Sequence, residues 1–105
     1  MKPRTREISK KIRDYINMID GSAEVILYGS RARGDEREYS DWDILILTDY
    51  PTGLAVEGKF RDKLYDLELE TGESFSVFAY SKNEWYAKQK STPFFANVTN
   101  EGMLI

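Results

Sequence analysis

The segment from Leu27 to Leu47, "LYGSRARGDEREYSDWDILIL", constrains the fold of this chain more than any other. One apolar run ends there at Gly29-Ser30, and a second apolar run follows Asp41 in "DWDILIL". Short apolar runs that are bounded by glycine or polar turn residues are typical of buried strands. The pattern therefore predicts two successive strands, with polar residues gathered where the first ends and the second begins.

Three strands and a long helix are expected along the chain. The run Ile44–Leu47 is apolar without alternation, as in a central strand that is covered on both faces. From Leu54 to Glu70 the apolar residues keep a helical period, although "DLELE" also alternates as a strand would. We predict a helix there, because Thr71-Gly72 would end it. The strands are predicted at Glu24–Tyr28, Asp41–Leu47 and Ser74–Tyr80.

Capping sequences predict the remaining helices. A first helix is expected to begin at a Thr5 cap and to end at the next glycine. The sequence "SKNE" at Ser81–Glu84 has the form of a capping box, and the Thr-Pro pair at Thr92 begins a last helix that Gly102 ends. This order predicts one α/β (α+β) domain over residues 1–105, in which a small mixed sheet is flanked by helices.

The composition excludes several kinds of chemistry. The chain contains no cysteine and no histidine, so it has no thiolate nucleophile, no sulfur-based zinc site and no imidazole base. Carboxylates, hydroxyls, lysine, arginine and tyrosine remain, which favours hard cations bound through oxygen. A net charge of −3 argues against a nucleic-acid partner. The sequence shows neither a membrane span nor a leader-like start, so we predict a cytoplasmic protein.

The beginning of the chain is the one locally basic stretch. Residues 1–14 contain six basic side chains against Glu7 and Asp14. A solvated helix face explains this pattern, and so does a surface for an anionic partner. The basic residues are Lys2, Arg4, Arg6, Lys10, Lys11 and Arg13.

Two carboxylates are expected on one side of the second strand. Side chains alternate along a strand, so Asp41 and Asp43 point the same way while Trp42 points the other way. Such a pair repels unless a cation lies between its members. Magnesium suits it, because this ion takes a few carboxylate oxygens and completes its shell with water and substrate phosphate.

The Gly-Ser turn supplies the complementary half of a phosphate site. Gly29 lets the backbone approach an anion closely, and a helical turn that begins at Ser30 presents amides and a hydroxyl to it. Arg31 and Arg33 add guanidinium groups suited to phosphate oxygens. On a solvated turn these two arginines could instead pair with nearby acids, which are Asp35, Glu36 and Glu38.

These motifs resemble the nucleotidyltransferase superfamily typified by DNA polymerase beta, and in particular its minimal nucleotidyltransferase domains. The resemblance covers roughly Val25 to Tyr80, and its most specific part runs from Tyr28 to Leu47, which contains the Gly-Ser and Asp-x-Asp motifs. It implies transfer of a nucleoside monophosphate from a nucleoside triphosphate to a hydroxyl. It also implies that the two aspartates hold magnesium, with two ions possible, and that the Gly-Ser turn holds the triphosphate.

A third carboxylate of the family pattern is missing. Active members usually carry it on the neighbouring strand, where it helps to deprotonate the acceptor, and the position that corresponds here is Ser76. A serine does not take that role. The nearby candidates for a substitute are Asp66, Glu68, Glu70, Glu73 and Ser74.

Two classes of function follow from the resemblance. The first is a magnesium-dependent nucleotidyltransferase that uses ATP and modifies a partner protein, because small members often serve as the antitoxin of a helical HEPN-domain toxin. The second is a catalytically degenerate nucleotide-binding or partner-binding subunit that has lost the third carboxylate. Tyr28, Tyr39 and Tyr50 are predicted to flank the site, where one of them could stack on a base or accept a nucleotide, but none is singled out. The other aromatics considered are assigned to the core: Trp42, Phe60, Phe75, Phe78, Trp85, Phe94 and Phe95.

Overall fold

The computed structural model describes residues 1–105. The chain forms five helices and four strands, which alternate except that α5 directly follows α4. Their bounds are α1 (Pro3–Ile19), β1 (Glu24–Tyr28), α2 (Ser30–Arg33), β2 (Trp42–Thr48), α3 (Leu54–Thr71), β3 (Phe75–Ser81), α4 (Lys82–Lys88), α5 (Pro93–Glu101) and β4 (Met103–Leu104). The region that also resembled a strand, at the end of Leu54–Glu70, is helical as predicted.

The strands form one mixed sheet in the order β3-β2-β1-β4. Strand β1 is antiparallel to both β2 and β4, whereas β2 and β3 are parallel. The register places Asp43 of β2 between Tyr28 of β1 and Ser76 of β3. The mixed sheet flanked by helices that the sequence predicted is thus confirmed.

Strand β2 contributes to a hydrophobic core on each face of the sheet. Its residues Ile44 to Leu47 are all fully buried, which confirms the prediction of a central strand. Ile44 and Ile46 pack with α1 and α3 in the larger cluster, while Leu45 and Leu47 pack with α4 and α5 in the smaller one. Side-chain alternation along a single strand therefore joins both layers of helices to the sheet.

The helix starts follow the predicted caps in two cases out of three. The Ser81 hydroxyl accepts a hydrogen bond from the Glu84 amide at 3.0 Å, and the Thr92 hydroxyl accepts one from the Phe95 amide at 3.1 Å. The prediction of a Thr5 cap is wrong. Helix α1 begins at Pro3, whose fixed φ suits the first helical position, and Thr5 is a buried residue within the first turn.

Two expectations about aromatic residues need correction, and one strand was not expected. Phe78 is not a core residue, because it lies on the edge strand β3 and remains 42% exposed. Tyr50 follows the end of β2, so it lies at the opposite end of this strand from the aspartates. Strand β4 was not predicted, because a two-residue strand carries no periodic signal.

No helix is both long enough and apolar enough to span a membrane.

Candidate active site

The turn between β1 and α2 is built around Gly29. This residue has φ 77° and ψ −161°, a conformation that is essentially restricted to glycine. A Cβ atom at this position would lie 2.1 Å from the Oδ2 atom of Asp43. The turn and the aspartate of the neighbouring strand therefore touch directly, and the absence of a side chain makes the contact possible.

Asp43 is partly buried beside this turn, and its negative charge is poorly compensated. Burial raises the pKa of the Asp43 carboxyl, and the charges of Asp41 and Glu101 raise it further, whereas Arg33 acts in the opposite direction. Asp41 precedes the first residue of β2, and its charge acts on Asp43. The structure thus places Asp43 against the Gly-Ser turn, with Asp41 near enough for its charge to act on Asp43. Metal and phosphate binding by these residues stays a prediction.

The acidic pair suits a divalent cation that is only partly held by protein. Its oxygens are hard ligands, and a cation between them would offset the repulsion that perturbs Asp43. No group of three or more acidic, histidine or cysteine side chains is arranged to hold a metal ion. A metal bound here would complete its shell with water and substrate oxygens, which is the usual behaviour of magnesium.

Ser76 lies directly beside Asp43 on the parallel neighbour strand. At this position the resemblance to the superfamily predicts a third carboxylate. Among the possible substitutes, Glu73 accepts hydrogen bonds from the Trp42 indole at 2.8 Å and from Arg4 at 3.0 Å. Glu68 and Glu70 are likewise engaged elsewhere, with the Phe75 amide and with Lys11 and Tyr15.

Arg31 supports the loop that leads into β2. Its guanidinium donates to the carbonyl of Ser40 at 2.9 Å and to that of Glu38 at 3.4 Å, and it stacks over the Trp42 ring at 4.6 Å. The side chain is also buried, 3.6 Å from Glu73. With these contacts Arg31 has a structural role in holding the loop before β2. Its binding of phosphate stays a prediction.

Arg33 lies at the open side of the turn. Its guanidinium pairs with Asp35 at 3.1 Å and with Glu101 at 2.8 Å, and the side chain is 46% exposed. Of the acids that the sequence offered as its partners, only Asp35 is one. Glu36 pairs with Lys2 instead. Arg33 lies near Gly29, because the Glu101 carboxylate contacts both the Arg33 guanidinium and the Gly29 amide.

Glu101 is the site residue that sequence analysis missed. It is the last residue of α5, yet its carboxylate accepts a hydrogen bond from the Gly29 amide at 3.0 Å and pairs with Arg33 through its other oxygen. Glu101 and Gly29 are separated by 72 positions. No motif connects them, so only the position of α5 against β1 reveals this contact.

The tyrosines near the motif have different surroundings. Tyr28 is buried and packs edge-on against Phe94 with ring centroids 5.4 Å apart. Burial and the nearby charge of Asp43 raise the pKa of the Tyr28 hydroxyl. Tyr39 is 89% exposed on the loop before β2. Tyr28 is thus part of the smaller core beneath the site.

A mixed sheet that carries an acidic pair against a Gly-Ser turn defines a nucleotidyltransferase domain, and the comparison with protein families agrees. The chain belongs to the family described as "Nucleotidyltransferase domain", which matches residues 9–92. It is 31% identical over 101 residues to the "Putative protein adenylyltransferase MJ0604" of Methanocaldococcus jannaschii, covering 91% of this chain and 95% of that protein.

Solved structures show the same fold. A crystal structure of a toxin-antitoxin with AMP-PNP aligns with a TM-score of 0.62 and 19% identity, over 95% of this chain and 70% of that one. The toxin-antitoxin MntA-HpeT with a Tyr→Ala substitution aligns with a TM-score of 0.62 and 15% identity, over 92% and 70%. A variant of the same pair with two Asp→Glu substitutions aligns with a TM-score of 0.61 and 17% identity, over 95% and 70%.

Proposed function

We propose that this protein is a magnesium-dependent adenylyltransferase that moves AMP from ATP to a hydroxyl group of a partner protein. The observation that carries the proposal is the direct contact between the Asp43 carboxylate and the Gly29 turn. A metal at Asp43 and a phosphate at Gly29 would be adjacent, which is the arrangement that phosphoryl transfer requires. The adenylyltransferase named among the relatives supports the nucleotide and the kind of acceptor.

The residues of this chain divide the work between them. Asp41 and Asp43 would hold the magnesium ions, with two ions possible, and bound magnesium would supply charge neutralisation for the triphosphate. The Gly29 amide, the Ser30 amide and hydroxyl, and the Arg33 guanidinium would bind phosphate oxygens. Binding and orientation of the triphosphate are thus the tasks that this chain performs.

No residue of this chain has been identified as the general base that would remove the proton from the acceptor hydroxyl. Ser76 lies beside Asp43 but is not a base at neutral pH. General-base help is typically worth about 10²–10⁴-fold in rate, so transfer would be slow unless the acceptor arrives activated by its partner. This observation favours the second candidate function, a degenerate subunit that binds nucleotide or a partner protein without efficient transfer.

The partner that we propose is a helical protein of the HEPN type. Toxin-antitoxin pairs among the solved structures with this fold support a protein partner. Helix α1 offers a basic surface to it, because its residues Arg6, Lys10 and Arg13 are in no close ion pair with another helix or strand. A cytoplasmic location stays a prediction from the sequence.

The decisive experiment is incubation with magnesium and ATP labelled at the α-phosphate, with and without the protein encoded by the neighbouring gene. We expect label on that protein, and Asp43→Asn should abolish it. Asp62→Asn is the matched control, because it removes the same charge from the exposed surface of α3. We also expect Ser76→Asp to increase the rate, since it restores a carboxylate beside Asp43.

The possible results separate the two functions. Magnesium-dependent ATP binding without transfer, in wild type and in Ser76→Asp, would support the degenerate subunit. Transfer that survives Asp43→Asn would contradict the proposed site. If the wild-type protein neither bound ATP nor transferred label, the transferase and a nucleotide-binding subunit would both be wrong, and only a partner-binding subunit would remain.

A further inference from the structure

Glu101 takes the two donors that a nucleotide phosphate would need. One of its oxygens accepts from the Gly29 amide at 3.0 Å, and the other pairs with Arg33 at 2.8 Å. A planar carboxylate with two acceptor oxygens thus bridges a backbone amide and a guanidinium, as a phosphate group does. The charge of Glu101 also acts on Asp43, so the carboxylate lies within the site itself.

From this geometry we propose that Glu101 is a further residue of the nucleotide site, in which it imitates a phosphate and has to leave before a triphosphate binds. The inference rests on the proposed function, because it takes Gly29 and Arg33 as phosphate donors. Each donor hydrogen satisfies one acceptor, so phosphate and Glu101 compete for the Gly29 amide. The negative charges of both groups exclude simultaneous occupancy more strongly.

The position of Glu101 in the fold permits this displacement. It is the last residue of α5, its side chain is 21% exposed, and no other hydrogen bond holds it. Rotation of the side chain toward solvent therefore breaks only the contacts with Gly29 and Arg33. Until it rotates, the carboxylate keeps Arg33 directed toward the turn and satisfies the Gly29 amide.

A role as the missing third metal ligand fits the structure less well. Both oxygens of Glu101 are already bound to hydrogen-bond donors, and Glu101 does not form a metal-holding group with the two aspartates. The two roles predict opposite effects of removing the carboxylate. Loss of a competitor strengthens nucleotide binding, whereas loss of a metal ligand weakens it.

The test is the dissociation constant of magnesium-ATP, measured by calorimetry for the wild type, Glu101→Gln and Glu101→Ala. We expect both variants to bind about tenfold more tightly, which corresponds to about 1.4 kcal/mol. Asp62→Asn is the control for the change in net charge, and its affinity should equal that of the wild type. Equal or weaker binding by both Glu101 variants would overturn the inference.

A second measurement reports on the contact without any nucleotide. Exchange of the Gly29 amide proton with solvent, followed by NMR, should be slower in the wild type than in Glu101→Ala, because only the wild type has the acceptor. Equal exchange rates would contradict the hydrogen bond between the Gly29 amide and Glu101. If wild type and Asp43→Asn bound magnesium-ATP equally, or neither bound it, the proposed function itself would fail, and this inference with it.

Discussion

At the scale of single residues, Gly29 is under two independent constraints. Its positive φ with an extended ψ is a conformation that other residues adopt at a cost of about 1–3 kcal/mol. A side chain would also collide with the Asp43 carboxylate. A glycine in a turn is common, and the sequence suggested only close approach of an anion; the structure adds that the nearest anion belongs to the protein.

A comparison of two glycines separates these constraints. Gly53 has φ 127° and ψ −178° at the start of α3, and a Cβ there would contact nothing within 4 Å. We expect Gly53→Ala to lower the free energy of unfolding by about 1–3 kcal/mol and to leave magnesium-ATP affinity unchanged. Gly29→Ala should cost more and should also abolish nucleotide binding, because Asp43 has to move.

Urea unfolding and calorimetric titration with magnesium-ATP measure these two effects. If both variants lost nucleotide binding, the cause would be the strained backbone conformation that Gly29 and Gly53 share, and not the contact between Gly29 and Asp43. Normal binding by Gly29→Ala would contradict the direct apposition of the turn and the aspartate.

At the scale of helices and strands, local signals predicted the elements and missed the contacts between them. The capping serine and threonine at Ser81 and Thr92 act within three residues, so they could be recognised in the sequence. The structural role of Arg31 depends on its hydrogen bonds to carbonyl groups of the loop before β2, and no sequence pattern specifies these bonds. Glu101 reaches the turn only because α5 packs against β1.

Glu73 links three elements, and its protonation should govern their stability. Burial alone would raise the pKa of Glu73, but hydrogen bonds from Trp42 and Arg4 and the positive charges of Arg31 and Arg4 hold it below the ordinary value of 4.5. A carboxyl whose pKa is lower in the folded state contributes stability above the unfolded pKa, and loses it as the pH falls through the folded pKa. Stability should therefore decrease in acid.

Glu73→Gln tests this dependence, because it keeps the shape and an acceptor oxygen but removes the charge. At pH 7 we expect a loss of about 1–2 kcal/mol in the free energy of unfolding, and the loss should shrink below pH 4.5 as wild-type Glu73 is protonated. Urea unfolding across this pH range measures it. Glu7→Gln is the control, since Glu7 also pairs with Arg4 but is 55% exposed; an equal loss from Glu73→Gln at every pH would contradict the electrostatic account.

At the scale of the whole molecule, the end of the chain is joined to the site through the sheet. Helix α5 packs its buried Val98 into the smaller core, β4 then pairs with β1, and the Ile105 amide that follows β4 donates to the Val25 carbonyl at 2.9 Å. Gly102 connects the two elements one residue after Glu101. Any displacement of this junction should therefore move the carboxylate at Gly29.

Gly102 allows this junction to close because it has no side chain. Its φ of −68° is open to any residue, but a Cβ would lie 2.4 Å from the Val98 carbonyl oxygen and 2.9 Å from the Ile26 side chain. We expect Gly102→Ala to lower the free energy of unfolding by about 1–3 kcal/mol, as overpacking does. It should also change magnesium-ATP affinity, because α5 and Glu101 have to shift.

Gly58→Ala is the matched control within α3, where a Cβ has open space around it. It should raise the free energy of unfolding by about 0.5–1 kcal/mol, because alanine suits a helix interior better than glycine, and it should leave nucleotide affinity unchanged. Urea unfolding and calorimetry of the two variants measure both effects. A Gly102→Ala protein with wild-type stability and affinity would show that the junction accommodates a methyl group, and that the end of the chain does not set the position of Glu101.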